Sequence, residues 1–277
     1  MTQKSILITG CSTGIGYDAA HGLRKAGWRV FATCRQQKDV DRLAAEGFES
    51  LRLDHQDDAS MKAAVDEVLA ATGGTLNALF NNGAYGLVGP LEDVPTDGLR
   101  DLFESNFFGY HTLTRLVLPA MRAQGHGRIL NCSSVLGFMA MRWRGPYVAS
   151  KFALEGLSDV LRLEMSDANI DVVLIQPGPI RTEFRRNAIA KFEQWIDWKA
   201  SPRKAQYEAE LLDQLYKRSD KPEPFELGPE AVTKAVLKAL TARRPKARYR
   251  ITTPTHIMAL AKRLLPQRVQ DWAIRKV

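Results

Sequence analysis

The 277-residue sequence is poor in cysteine, with Cys11, Cys34 and Cys132 only and no CxxC spacing. An odd count in a chain of this size gives no disulfide framework, and small packing roles in a reducing compartment fit these thiols best. Its five histidines form neither an HExxH nor a CxxC…HxxxH pattern, so no metal site is expected. No run of about 18 uncharged apolar residues occurs, which argues against a membrane-spanning helix. The opening MTQKSILITG enters a strand-like run at once and leaves no room for a secretory leader, so a cytoplasmic location is expected. Low-complexity linkers and internal repeats are also missing, which predicts a single domain over residues 1–277.

The composition that is present, 45% hydrophobic and 25% charged, is that of a globular chain with a sizeable core. The net charge of +8 admits nucleic acid, an anionic membrane surface or anionic ligands as partners, or no more than solubility. Lys and Arg read as scattered along the sequence, so no nucleic-acid partner is expected.

Apolar runs of strand length at 4–9, 28–33, 50–53, 76–82, 127–134 and 170–177 alternate with helical patterns at 15–26, 36–46, 57–71, 96–123 and 147–167. This alternation calls for a parallel sheet with helices on both faces. Right-handed crossovers make it a doubly wound Rossmann α/β sheet, with strand order 3-2-1-4-5-6-7 once a last strand at 248–252 follows a helix at 229–242. The regular alternation stops after residue 182. Residues 183–225 are helical in pattern and carry Phe184, Phe192, Trp195, Trp198 and Tyr207, as a lid over a substrate pocket would. Alternatively these aromatics pack on one another or on a partner subunit. Residues 255–276 are amphipathic and basic, broken at Pro266. Such a segment can lie weakly on an anionic membrane, cover the sheet edge or meet a partner.

Between the first strand and first helix lies Thr9-Gly10-Cys11-Ser12-Thr13-Gly14-Ile15-Gly16. Glycines there allow a tight turn and a close approach to a pyrophosphate, and the helix start behind them offers free N–H groups. The second strand ends in Ala32-Thr33-Cys34-Arg35, with no acid to accept from a ribose 2′-hydroxyl. Arg35, helped by Ser12, can instead grip a 2′-phosphate, which points to NADP(H). Asp54, after the third strand, suits the adenine amine or the N-cap of the next helix.

Tyr147 and Lys151, four residues apart on a helix, share a face. A free tyrosine has a pKa near ~10, and a nearby ammonium and the cofactor's nicotinamide charge are expected to lower it. Tyr147 then serves as general acid or base. Ser134, ending the fifth strand, is placed to hold a carbonyl oxygen against it. In the loop between them, Phe138, Met141 and Trp143 suggest an apolar substrate wall. His55 and His111 read as structural, and Arg185 and Arg186 as a solvated pair.

Taken together, these motifs resemble the short-chain dehydrogenase/reductase family over essentially the whole chain. TGCSTGIG is similar to its TGxxxGxG cofactor loop, and Asp54 to its adenine-binding acid. Asn81-Asn82-Gly83-Ala84 resembles NNAG, with the last two residues exchanged. Asn106 matches the asparagine that holds a water of the proton relay, Ser134 the catalytic serine, and Tyr147 to Lys151 the YxASK core. Pro177-Gly178-Pro179-Ile180-Arg181-Thr182 resembles the PG motif, whose threonine binds the nicotinamide carboxamide. The resemblance implies cofactor contacts from Gly10, Ser12, Thr13, Gly14, Ile15, Gly16, Arg35, Asp54, Asn82, Gly83, Tyr147, Pro177, Gly178, Ile180 and Thr182, with Lys151 on the nicotinamide ribose.

ILITGCSTGIG and VFATCR are similar to estradiol-type hydroxysteroid and retinol dehydrogenases. NFFG, RGPYVASKFALEGLSDVLRLE, PGPIRTEF and KRLLP look more like bacterial NADP-dependent aldehyde and ketone reductases. These likenesses imply a lipophilic carbonyl or alcohol substrate of fatty aldehyde, retinal or steroid type, and a homodimer or homotetramer joined through helices 96–123 and 147–167. A non-catalytic NADP-binding sensor on the same fold is the alternative, and the intact set Asn106, Ser134, Tyr147 and Lys151 argues against it.

Overall fold

Seven short strands form the frame: β1 (Ser5–Ile8), β2 (Arg29–Cys34), β3 (Glu49–Arg52), β4 (Ala78–Asn81), β5 (Gly127–Cys132), β6 (Ile170–Pro177) and β7 (Arg248–Ile251). The computed structural model describes residues 3–216 and 224–275. In it the strands pair in parallel, in the expected order β3-β2-β1-β4-β5-β6-β7. Every residue of β1 and β4 is buried, as central strands covered on both faces must be.

The helices are α1 (Gly14–Lys25), α2 (Gln37–Ala45), α3 (Asp58–Ala71), α4 (Thr96–Phe103), α5 (Gly109–Ala123), α6 (Gly145–Glu164), α7 (Phe184–Trp195), α8 (Lys204–Gln206), α9 (Leu212–Tyr216), α10 (Glu230–Thr241), α11 (Thr253–Leu264) and α12 (Gln267–Ile274). Strand alternation divides the core in two. Ile6, Ile8, Val30, Phe80, Leu130 and Ile175 meet Leu23 of α1, Val40 and Leu43 of α2 and Val236 of α10. Leu7, Phe31, Leu79, Ile129 and Val172 meet Met61 and Val65 of α3 and Leu113 and Val117 of α5.

Two departures from the expected elements bear on function. The helix expected over 96–123 is broken into α4 and α5 by a π turn at Glu104–Phe108, which seats Asn106 inside with no exposure. Single π turns of this kind are frequent at functional sites. The helical segment after residue 183 has its own small core, in which Leu87, Val88 and Leu102 pack on Phe192, Ile196, Tyr207 and Leu211. The Phe192 and Trp198 rings lie 6.1 and 6.2 Å from the Tyr207 ring, whose hydroxyl donates to Asp93 at 2.8 Å. Most of the aromatics there thus pack on one another, while Phe184 faces the groove described below. Arg181 N donates to Leu227 O at 2.9 Å and Leu227 N to Pro179 O at 3.2 Å, tying the two ends of this segment together. Residues 217–223 of the expected lid and residue 276 of the C-terminal segment lie outside the described residues. No described helix is long and apolar enough to cross a membrane.

Candidate active site

The chain leaves β1 towards β2 and leaves β4 towards β5, so a crevice opens at the C-terminal ends of β1 and β4. The glycine loop closes over it. Gly10 has φ +69°, and a Cβ on it would lie 2.5 Å from Gly83 Cα. A Cβ on Gly16, beneath the loop, would lie 2.3 Å from the Gly10 carbonyl oxygen. Buried Thr9 fixes the arrangement: its hydroxyl oxygen accepts from Asn82 N at 2.9 Å and Gly83 N at 3.0 Å. Asn82 Nδ2 donates back to Thr9 O at 3.0 Å. The exchanged Gly83-Ala84 order therefore places the smallest residue where the Gly10 backbone comes closest.

Gly10→Ala combines an unfavourable φ with a backbone clash, at a cost of about 2–3 kcal/mol. The melting temperature is expected to fall by roughly 5–10 °C in a thermal scan. Dinucleotide affinity should fall at least about tenfold, because the loop that must contact the ligand is the part displaced. Unchanged values for both would refute this packing of the loop.

The crevice is one groove with two halves. The first, ≈ 430 Å³, is lined by Thr9, Ser12, Thr13, Arg35, Gln36, Lys38, Asp54, His55, Gly83, Arg186 and Lys191, among others. Arg35 and Lys38 are exposed and form no salt bridge among the described residues. Lys38 was not anticipated from the sequence. Its signal was its place in the first turn of α2, where the helix dipole disfavours a cation. Arg42 donates to Ser12 O at 2.7 Å and braces the loop. Arg186 pairs with Glu183 at 3.3 Å. Asp54 accepts from Gln56 N at 3.1 Å and does not cap α3. Asp57 takes that role, accepting from Ser60 N at 3.0 Å. His55 is buried against the Tyr110 ring, and burial holds its pKa down to about 4, so it is neutral at physiological pH.

The second half, ≈ 470 Å³, shares Gly10, Ser12, Thr13, Gly83 and Ala84 with the first. It is lined by Gly14, Ile15, Asn82, Ser134, Leu136, Met141, Arg144, Tyr147, Lys151, Pro177, Gly178, Ile180, Thr182 and Phe184. Pro146 opens α6 and fixes its entry, which puts Tyr147 and Lys151 one turn apart facing the end of β5. Ser134 Oγ accepts from Leu136 N at 3.1 Å, and so keeps its own proton to donate. Lys151 is buried; its Nζ donates to Cys132 O at 2.7 Å and lies 5.6 Å from the Tyr147 ring centroid. The Tyr147 ring meets Phe184 edge to face at 5.2 Å.

The lowered tyrosine pKa expected from the Tyr147–Lys151 pair is not what the chain alone produces. Burial pushes the Tyr147 phenol up, Cys132 adds to this, and the hydrogen bond with Ser134 pulls it partly back. Burial also lowers Lys151 to about 8, against the opposing pull of Cys132 and Glu155. A dry site disfavours phenolate and ammonium alike.

Four expected site residues do not line either half of the groove: Gly16, which lies beneath the loop, Asn106, Phe138 and Trp143. The Asn106 side chain is committed, accepting from Tyr85 N at 3.1 Å and donating to Tyr85 O at 2.9 Å and Ser150 Oγ at 3.4 Å. It braces the turn of α6 that separates Tyr147 from Lys151. Phe138 does not line the groove. Nor does Trp143, which packs with the α7–α9 cluster while its carbonyl accepts from Gly89 N at 2.9 Å. Met141 does line it, together with Phe184 and Arg144, which were not among the expected site residues.

The short chain dehydrogenase family profile matches residues 4–192. The chain is 41% identical to the uncharacterized oxidoreductase YbbO of Escherichia coli K12, covering 97% of this chain and 93% of that protein. It is 32% identical to the NADPH-dependent 3-dehydrocapnine reductase of Ornithobacterium rhinotracheale, covering 97% and 95%. It is 33% identical to human 17-beta-hydroxysteroid dehydrogenase type 1, covering 95% and 82%. With this sheet order and these matches, the chain belongs to the short-chain dehydrogenase/reductase family of oxidoreductases.

Proposed function

We propose that the protein is an NADP(H)-dependent reductase of lipophilic aldehydes or ketones, with Tyr147 as its proton donor. The observation that carries this reading is the convergence of Ser134, Tyr147 and Lys151 in one groove half whose remaining wall includes Leu136, Met141, Ile180 and Phe184. The groove suits a dinucleotide phosphate: the loop at Gly10 has no room for a side chain, and beside it Arg35 and Lys38 form no salt bridge among the described residues. When bound, NADPH supplies the hydride. The residues do the rest. Ser134 donates to the substrate oxygen. Tyr147, held protonated through neutrality by burial, gives that oxygen its proton, which is the reductive direction. The Lys151 ammonium steadies the phenolate left behind and offers donors to the ribose. The apolar wall favours lipophilic substrates, and relatives named for a dehydrocapnine and a hydroxysteroid support that class.

The primary test is NADPH oxidation at 340 nm with a panel of medium- and long-chain aldehydes, retinal and ketosteroids. Turnover that rises with apolar size supports the reading. Tight NADPH binding with no turnover on any carbonyl would shift it to a non-catalytic sensor.

The pH dependence follows from Lys151. Its charge is present below about pH 8 and lost above it. NADPH affinity of the free enzyme should therefore weaken as pH rises through about 8. Lys151→Arg, which stays charged, should flatten the profile. A wild-type profile that is flat from neutrality to pH 10 would remove Lys151 from cofactor binding.

A further inference from the structure

The positive charge of this chain is concentrated, contrary to the expectation of scattered cations. Residues 229–275 hold eleven Lys and Arg against two acids, Glu230 and Asp271, while the remainder is close to neutral. The fold gathers part of this charge into a groove of ≈ 520 Å³ between α10, the edge strand β7 and the start of α11. Lys234 and Lys238 stand one turn apart on α10, facing Lys246, Arg250 and His256 across it. These residues are exposed and form no salt bridge among the described residues. Arg248 differs, being tied to Glu155 at 3.1 Å and Asp159 at 2.6 Å. Among the described residues no carboxylate lines this groove. Cations gathered without counter-charge repel one another, so the arrangement favours an anionic partner.

Next to the groove runs an apolar stripe. Ile257, Leu260 and Leu264 of α11 recur at i, i+3 and i+7 and so share one face. Leu265, just before Pro266, and Val269 and Trp272, beyond it, are exposed as well. Ile257, Leu260, Leu264 and Trp272 are about 60% exposed or more. An exposed apolar run of this size beside a basic groove marks an interaction surface.

We propose that α10, β7, α11 and α12 form a docking surface for an anionic phospholipid bilayer. The cations meet the headgroups and the stripe enters the interface. Charge complementarity selects this occupant, and the stripe separates it from the others. A nucleic acid would engage the cations but leave the aliphatic side chains in water. A second copy of the chain would bring like charges together, and the α5–α6 region expected to meet a second copy carries its own exposed Phe152, Val160 and Leu163. In addition, α11 packs against the turn at Val135–Gly137 that follows Ser134, so the surface adjoins the groove wall.

The test is co-sedimentation of the full chain with vesicles of phosphatidylcholine alone or with added phosphatidylglycerol. Pelleting is expected with the anionic vesicles only, and should be reversed by high salt. Lys234→Gln with Lys238→Gln should weaken it by roughly 30-fold. Leu260→Ser with Leu264→Ser should weaken it at least about tenfold. Both double variants should keep the melting temperature and the turnover of a water-soluble carbonyl. Absence of pelleting with anionic vesicles at low salt overturns the proposal. So does vesicle binding indifferent to the leucine substitutions with equal affinity for duplex DNA, which would make this a general polyanion surface. A leucine variant that binds vesicles normally but turns an oligomer into monomers in light scattering would assign the stripe to a second copy instead.

Discussion

Tyr147→Phe is expected to lower kcat/KM for carbonyl reduction by about 10²–10⁴-fold while leaving NADPH affinity nearly unchanged. The substitution removes one oxygen. The ring keeps its place against Phe184, and the fold loses no more than the hydrogen bond with Ser134, worth about 1 kcal/mol. The proton it gives is needed only as the substrate oxygen gains charge, so the loss should fall on kcat more than on KM. Ser134→Ala removes a second donor to the same oxygen, and the double variant should be little worse than Tyr147→Phe alone, because the two act as a unit. Steady-state rates with the best substrate of the panel, beside a fluorescence titration of NADPH, separate the two quantities. Activity of Tyr147→Phe within threefold of wild type would exclude Tyr147 as the proton donor.

The sheet was legible because parallel strands buried on both faces leave continuous apolar runs. SILI, ALFN and IDVVLIQP stand out between helical stretches of clearly different period. The π turn at Glu104–Phe108 was not legible. Leu102 on one side and Leu113 and Val117 on the other fit a single helix, and one additional residue in a turn changes the phase without changing the composition. The aromatics after residue 183 were legible as a group but not one by one. Phe192 turns inward because Leu87, Val88 and Leu102 await it from distant parts of the chain. Phe184, eight residues earlier, meets Tyr147 instead.

Within the site, spacing revealed what spacing controls. The glycine loop, Ser134 at the end of β5 and the Tyr147–Lys151 turn all follow from local geometry on predictable elements. Properties set by the surroundings did not follow. The sign of the Tyr147 shift depends on burial, which outweighs the hydrogen bond from Ser134. The loop from Val135 to Arg144 was expected to present three apolar side chains, but its course directs Met141 to the groove and Trp143 to the α7–α9 cluster. Asp54 was a candidate cap for α3, but Asp57, three residues before Ser60, holds that place.

Arg35→Asp is expected to reverse cofactor preference, lowering kcat/KM with NADPH by roughly 10²–10³-fold and leaving the NADH value nearly unchanged or raised. A 2′-phosphate carries close to two negative charges and needs charged donors, and Arg35 offers a planar fork for it at the end of β2. An aspartate there repels the phosphate and can accept from a 2′-hydroxyl in its place. Lys38, on the same wall, acts as a point charge, and Lys38→Ala should cost NADPH about tenfold and NADH little. Because both cations are exposed, salt screens them: the wild-type KM for NADPH should rise with ionic strength, and that rise should flatten in the Arg35 variant. The deciding quantity is the NADPH/NADH ratio of kcat/KM measured at one ionic strength. A ratio that stays within threefold of wild type in both variants would place the phosphate contact elsewhere in the first half of the groove, with Arg186 and Lys191 the remaining cations that line it.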